Sequence, residues 1–183
     1  MPFNVNVEKG ELPSSQVVAA NTIIQHARSQ GSQFAERAVG VTVPTLRVDQ
    51  TGLEYEQRSN QGAIEFRFVT GTLRLTLRQA VYLSNAISSC AQRIWEAHEQ
   101  DHVRDNQELM GSLEREVRAH RALQDILINP RWRPRREFDA VQRTIRESAG
   151  EIFQRLTREA VQRRDTQAEY DAIQRRINAQ CGG

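Results

Sequence analysis

The sequence is poor in aromatic residues, and it contains no long hydrophobic run. Aromatic residues make up 6% of the 183 residues, too few for a platform on which nucleic-acid bases stack. The 25 basic and 23 acidic side chains leave a net charge of only +2, which argues against a polybasic nucleic-acid binder. No apolar stretch approaches the roughly 20 residues that a membrane span requires. We therefore expect neither nucleic-acid binding nor a membrane span.

Cysteine is equally scarce. Cys90 and Cys181 are the two cysteines of the chain, too few for a disulfide-dense scaffold or a four-cysteine zinc site. One bridge between them is possible in an oxidising compartment, and the sequence leaves this pairing open. The first residues lack a basic segment followed by an apolar one, so no classical signal peptide is predicted. We expect secretion or export by another route, or otherwise a cytoplasmic protein.

The first half of the chain carries the alternating pattern of β-strands. Apolar and polar residues alternate over residues 3–7, 39–43, 64–68 and 73–77, as in strands with one buried face. Thr70-Gly71 separates the last two runs, and we expect a β-hairpin turn there. Pro44 confines the second run to a sheet edge or a strand end. Between the first two runs, Ser14 and Ser15 predict a capped helix that extends to about Gly31.

From residue 88 onward the pattern is helical. Ser89 and Gln92 have the spacing of a capping box, which predicts a helix from Ser89 to about Met110. We expect a break at Gly111-Ser112, a second helix to Leu127 and an interruption at Asn129-Pro130. Beyond the arginine-rich segment RWRPRR, apolar residues recur at steps of three and four, as in amphipathic helices. The apolar residues of this last stretch are Phe138, Val141, Ile145, Ala149, Ile152, Leu156 and Ala160.

These patterns predict an α+β fold in a single domain over residues 1–183. An N-terminal helix and a small antiparallel β-sheet occupy residues 1–87. We expect the edge strand of this sheet to pack on the metal-binding helix. Two helices that could bind a metal follow over residues 88–128. Residues 129–183 form arginine-rich amphipathic helices, with 12 arginines against 8 acids. We interpret their apolar stripe as core packing, with a coiled-coil-like partner or dimer interface as the alternative.

Histidine is the rare residue that carries chemistry. Three of the four histidines lie within 23 residues, and two of them belong to the motif His98-Glu99-Gln-Asp-His102. On a helix, positions i and i+4 share a face, so both imidazoles can bind one cation, for which zinc is a suitable choice. Glu99 lies beside them, where a carboxylate can take the proton of a metal-activated water. The motif HExxH is typical of zinc metallopeptidases.

A catalytic zinc ion normally has three protein ligands, and the sequence offers three candidates for the third. Glu108 follows His102 by six residues, but the glycine of the corresponding metzincin pattern is replaced by Asp105. Glu116 and His120 share a face of the next predicted helix. Polar groups on such an apolar face are costly unless they are paired or bound to metal. His120 is also a candidate for stabilising an oxyanion or for orienting a ligand.

The motif residues resemble those of the gluzincins, a family of zinc peptidases. In that arrangement His98-Glu99-x-x-His102 is followed by a second helix with a glutamate and an alanine, here Glu116 and Ala119. The segment 73–106 is also similar to uncharacterised bacterial proteins described as secreted zinc-dependent proteases. The resemblance implies a zincin fold and peptide-bond hydrolysis. It implies His98, His102 and Glu116 as zinc ligands and Glu99 as the general base.

The hypothesis from the sequence is therefore a zinc metalloendopeptidase that acts on a protein or peptide substrate. Glu99 and His120 are the predicted catalytic residues, and the resemblance implies Zn²⁺ as the cofactor. The alternative is a helical interaction or secretion-associated protein in which the motif is fortuitous or binds a structural metal. A further alternative is an exported protease toxin with the same chemistry. The oligomeric state stays open.

Overall fold

A long β-hairpin and a long helix provide the framework of the structure, a computed structural model that describes residues 3–128 and 130–182. Asn129, part of the expected interruption before Pro130, lies outside the described residues. The architecture is α+β, as the sequence predicts. The elements in chain order are β1 (Phe3–Glu8), β2 (Ser15–Val18), α1 (Ala20–Ser29), β3 (Gly40–Asn60), β4 (Ala63–Ser84), α2 (Ser89–Ala119), α3 (Arg121–Leu123), β5 (Arg133–Pro134), α4 (Phe138–Arg164) and α5 (Gln167–Cys181).

The hairpin turns at Gln61-Gly62, not at Thr70-Gly71. Both turn residues have positive φ, 49° for Gln61 and 81° for Gly62, and such two-residue turns match the twist of the flanking strands. β4 runs straight through Thr70-Gly71, so the expected turn there is wrong. Gly71 instead permits a close approach, because a Cβ atom there would lie 2.5 Å from Leu53 Cδ2. β3 also continues through Pro44, so the alternative of a strand end is wrong. The alternative of a sheet edge is confirmed, because among the described residues β3 pairs with β4 and with no other strand.

The expectation of an antiparallel sheet is wrong as well. β4 pairs in parallel with β1, where Val5 faces Leu73, and with β2, where Val17 faces Leu83. β5 pairs with β4 in the antiparallel direction, and β3 pairs with β4 across the hairpin. The sheet is therefore mixed. Alternation of apolar residues reports which face of a strand is buried, but it carries no information about strand direction.

The metal-binding helix predicted from the sequence is longer than expected. α2 begins at Ser89, and the hydroxyl of Ser88 accepts a hydrogen bond from the backbone amide of Ala91 at 3.3 Å. The helix then passes through Gly111-Ser112 without a break and ends at Ala119. A glycine inside a helix costs only about 1 kcal/mol, and the fully buried Met110 and Leu113 anchor the helix on either side. No helix among the described residues is long and apolar enough to cross a membrane.

The chain divides into two compact units, and four long elements contribute residues to both. The first unit comprises residues 3–9, 46–77 and 110–154, and aromatic rings pack within it, with Phe138 5.1 Å from Phe66 and 5.7 Å from Phe68. The second unit comprises residues 10–45, 78–109 and 155–182. It contains two apolar clusters. Their buried members are Ile23, Ala27, Ala35, Ala38 and Val41 in one, and Leu83, Ile94, Trp95 and Ile173 in the other.

A disulfide bond joins Cys90 in the first turn of α2 to Cys181 at the end of α5, 91 residues later. Both cysteines belong to the second unit. The structure therefore shows the Cys90–Cys181 pairing that the sequence leaves open. Because cross-linking restricts the unfolded chain over a long loop, this bond stabilises the folded state.

We predict that replacing both cysteines, Cys90→Ser with Cys181→Ser, lowers the free energy of unfolding by about 2–4 kcal/mol. Denaturant unfolding followed by circular dichroism measures this difference. As a control, a reductant should lower the wild-type midpoint to that of the double variant and leave the variant unchanged. A wild-type midpoint that does not respond to reductant would contradict the prediction.

Candidate metal centre

The two motif histidines lie on one buried face of α2 in the second unit. His98 is 5% exposed and His102 is 7% exposed. Their Nε2 atoms are 3.2 Å apart, and the ring planes are nearly perpendicular, at 83°. The spacing of four residues on a helix produces this approach. Two buried imidazole nitrogens at this distance require a proton or a cation between their lone pairs.

Asp165 completes the group from the junction between α4 and α5. Its Oδ1 atom lies 2.9 Å from His102 Nε2 and 3.5 Å from His98 Nε2. The carboxylate is buried, at 7% exposure for the residue. Among the described residues, His98, His102 and Asp165 form the group of side chains that could hold a metal ion.

The three atoms have the separations that a metal requires. Zinc–nitrogen and zinc–oxygen bonds of about 2.0–2.2 Å in a tetrahedral site place neighbouring ligand atoms about 3.3–3.5 Å apart. The distances of 3.2, 2.9 and 3.5 Å among the two Nε2 atoms and Oδ1 are close to that triangle. Two neutral imidazoles and one carboxylate are also donors that zinc accepts. The residues present therefore fit a divalent metal ion.

Neighbouring contacts orient Asp165 towards the histidines. Arg164 binds the Asp105 carboxylate through two nitrogens, at 2.5 and 2.8 Å, and reaches Asp101 at 3.4 Å. This ion pair fixes the α4–α5 junction against α2. The hydroxyl of Ser32 donates to Asp165 Oδ2 at 3.3 Å. Because Oδ2 has its own partner, Oδ1 is left to face the two histidines.

The buried contact between His102 and Asp165 shifts the pKa values of both groups. Burial alone would lower the pKa of His102, but the hydrogen bond to Asp165 and the nearby carboxylate of Glu99 raise it overall. For Asp165, burial would raise the pKa, and hydrogen bonds from His102 and His98 outweigh this effect and lower it. The carboxylate is therefore charged at neutral pH. A fixed negative charge at this point favours a cation in the centre of the group.

Glu99 lies next to the histidines with its carboxylate buried, at 3% exposure for the residue. The hydroxyl of Thr42 donates to Oε2 at 2.9 Å. Gly40 provides the space for this carboxylate, because a Cβ atom there would lie 2.7 Å from Oε1. Burial raises the pKa of Glu99, while the charges of His102 and His98 oppose the change. A carboxylate with a raised pKa is a stronger base than a solvated carboxylate and accepts a proton more readily.

A small, partly open cleft reaches the centre. Glu99, His102 and Asp165 line it, together with Tyr170 of α5. Burial raises the pKa of Tyr170, and the carboxylates of Asp165 and Glu99 raise it further. Tyr170 therefore keeps its proton and remains a hydrogen-bond donor. Apolar side chains form part of the wall, namely Ala27, Ala38, Val41 and Val161.

The structure does not bring the other predicted site residues to this centre. Glu116 lies fourteen residues beyond His102 on the unbroken helix α2, about 21 Å along its axis, and belongs to the first unit with His120. The expected helix break, on which a fold-back of Glu116 depends, does not occur. His120 precedes α3, and its Nδ1 atom is buried without a hydrogen-bond partner. Glu108 is exposed on α2.

The sequence did not identify the site residues that lie far from the His98–His102 motif along the chain. Asp165 follows His102 by 63 residues, and an aspartate between two helical patterns is an ordinary feature of a helix boundary. Thr42 and Gly40 lie in a strand whose alternation indicates burial but not contact with α2. Tyr170 appears in the sequence as part of an apolar helical stripe. No local spacing connects these residues to the motif.

We predict that Asp165→Asn weakens zinc binding by at least tenfold, because the amide removes the anionic ligand. Glu116→Gln should bind zinc as the wild type does. Competition with a chromophoric chelator on metal-depleted protein measures both affinities. Loss of affinity in the Glu116 variant and not in the Asp165 variant would restore the ligand set implied by the gluzincin resemblance and contradict binding by His98, His102 and Asp165.

Comparison with known proteins identifies no relative of this chain. No protein family model, curated protein or solved structure matches the chain. The resemblance to gluzincins therefore stays a hypothesis that rests on the motif at His98–His102. The geometry of the site carries the functional argument.

Proposed function

We propose that this protein is a zinc-dependent peptidase. One observation carries the proposal: two histidines and an aspartate converge within 3.5 Å of one another, with a buried glutamate beside them. The three residues supply a complete set of protein ligands for a catalytic zinc ion. Glu99 supplies the base that hydrolysis of an amide needs.

The choice of hydrolysis depends on Glu99. Two histidines and one carboxylate also suit iron(II) in oxygen-dependent enzymes, so the ligands alone do not select the reaction. A buried carboxylate held by Thr42 at 2.9 Å serves proton transfer. Bound zinc would act as a Lewis acid, lowering the pKa of water to about 7 and polarising a carbonyl group.

The reaction follows from the groups that line the cleft. Glu99 accepts a proton from water as the water oxygen bonds to the carbonyl carbon of the scissile peptide. The carbonyl oxygen then carries negative charge. Glu99 returns the proton to the peptide nitrogen as the carbon–nitrogen bond breaks. The products are a carboxylic acid and an amine, and the acid proton passes to the amine to give a carboxylate and an ammonium group. The raised pKa of Glu99 favours the first proton transfer, because it makes the carboxylate a stronger base than a solvated one.

Tyr170 takes the place that the sequence hypothesis assigned to His120. It lines the cleft, and its phenol stays protonated because burial and the neighbouring carboxylates raise its pKa. A neutral phenol can donate a hydrogen bond to the developing oxyanion. His120 belongs to the other compact unit and has no part in this proposal.

We propose a peptide as the substrate because Glu99 suits the proton transfers of amide hydrolysis. Gly40, Val41 and Thr42 of β3 line the cleft, so extended backbone runs beside the centre. The Cys90–Cys181 disulfide supports secretion or export, because disulfides persist in oxidising compartments. An exported protease toxin would use the same site chemistry.

We predict that Glu99→Gln abolishes hydrolysis and leaves zinc binding intact. The amide keeps the shape of the side chain but cannot accept the proton of the attacking water. Cleavage of a denatured protein substrate, followed by mass spectrometry, measures activity, and metal analysis of purified protein measures zinc. Glu108→Gln is the matched control, since Glu108 is an exposed glutamate of the same helix.

Two results would contradict the proposal. The first is wild-type cleavage by the Glu99→Gln variant. The second is purified wild-type protein that neither contains nor takes up one equivalent of zinc. A chelator that unfolds the protein while Glu99→Gln changes nothing would indicate the structural metal of the interaction-protein alternative.

We predict a separate effect for Tyr170→Phe. The variant should keep full zinc binding and lose about 10²–10³-fold in kcat, the cost of removing one oxyanion donor. Tyr82→Phe is its control, because Tyr82 stacks on His26 at 5.0 Å and is absent from the residues that line the cleft. Equal kcat values for both variants would exclude this role for Tyr170.

A further inference from the structure

The second ring nitrogen of His98 is buried, and the structure over residues 3–128 and 130–182 gives it no hydrogen bond. This atom is Nδ1, and the side chain of His98 is only 3% exposed. A buried polar group without a partner costs free energy, so native structures avoid this state. An edge contact with Trp95, 5.6 Å between ring centroids, packs the ring but offers Nδ1 no acceptor.

Metal binding at Nε2 of His98 would require a hydrogen-bond acceptor at Nδ1. When Nε2 binds a cation, the proton of the neutral imidazole must lie on Nδ1. Nδ1 then becomes a hydrogen-bond donor that points away from the centre. In metal sites this N–H usually donates to a carboxylate, a backbone carbonyl or water, which fixes the orientation of the ring.

Glu169 lies in position to be that acceptor. Its Oε1 atom is 3.7 Å from His98 Nδ1, slightly beyond hydrogen-bonding distance. The Glu169 side chain is 42% exposed and can move by the few tenths of an ångström required. Its backbone is fixed, since the amide of Glu169 donates to the hydroxyl of Thr166 at 3.2 Å at the start of α5.

We propose that Glu169 is a positioning residue that accepts a hydrogen bond from His98 Nδ1 when the centre binds its metal. The inference rests on the proposed metal site. It assigns two roles to the segment 165–169, which joins α4 to the first turn of α5: Asp165 binds the metal, and Glu169, four residues later, orients a second ligand. One segment thereby contacts both ring nitrogens of His98, with Asp165 Oδ1 near Nε2 and Glu169 Oε1 near Nδ1.

The test measures zinc affinity in three variants. Glu169→Ala should weaken Zn²⁺ binding by about 10–100-fold, the usual effect of removing such a partner. Glu169→Gln should lose less, because the amide oxygen accepts the bond without a charge. Asp171→Asn is the matched control, a carboxylate of the same helix whose partner is Gln167 at 2.7 Å, and it should bind zinc as the wild type does.

A second measurement separates positioning from a structural role. The free energy of unfolding of the metal-free Glu169 variants should equal that of the metal-free wild type. The ¹⁵N resonance of His98 Nδ1 in the zinc-loaded protein should shift between wild type and Glu169→Ala. If the alanine variant does not fold, Glu169→Gln decides the question by the same two measurements.

The failure of this inference is distinguishable from that of the proposed function. Wild-type affinity in both Glu169 variants, together with lost affinity in Asp165→Asn, overturns the role of Glu169 and leaves the metal centre in place. Equal losses in Glu169→Ala and Asp171→Asn overturn it as well, because the effect is then one of helix charge. A wild-type protein that binds no zinc overturns both.

Discussion

The arrangement of the site depends on one buried charge, the carboxylate of Asp165 against two imidazoles. Such a group loses its hydration on burial and is stable only when neighbouring donors or a cation replace the water. His102 and His98 do so from one side, and the Ser32 hydroxyl does so from the other. The remaining contacts of the second unit keep these partners in place.

Three contacts hold the segments of the site to α2. The Arg164–Asp105 pair acts beside Asp165, and the Cys90–Cys181 bond acts at the other end of α5. Between them Trp95 of α2 packs on Tyr170 of α5, with ring centroids 5.3 Å apart. The sequence alone does not explain the arginine-rich helices. In the structure, the junction between α4 and α5 places Asp165 beside the two histidines.

The sequence predicts the α+β class correctly, from the change of period along the chain, and it places the start of α2 at Ser89. The predicted caps are wrong, because Ser88 and not Ser89 caps α2, and Ser15 lies in β2 ahead of a helix that begins at Ala20 without a side-chain cap. Strand direction and the hairpin turn were predicted incorrectly. Gly71 carries a turn signal in sequence, but its purpose is contact with Leu53 of the neighbouring strand, which no local pattern reveals.

What the sequence by itself determined is the pair of histidines and the glutamate between them, because helical spacing alone brings positions 98 and 102 together and places Glu99 beside them. Only the tertiary structure decided that Asp165 joins the two histidines in a group that could hold a metal ion. Helix α2 continues past Gly111 and carries Glu116 away, and Asp165 arrives from 63 residues further along the chain. A contact at that separation depends on how the helices pack, and this is a property of the whole unit and not of any local spacing.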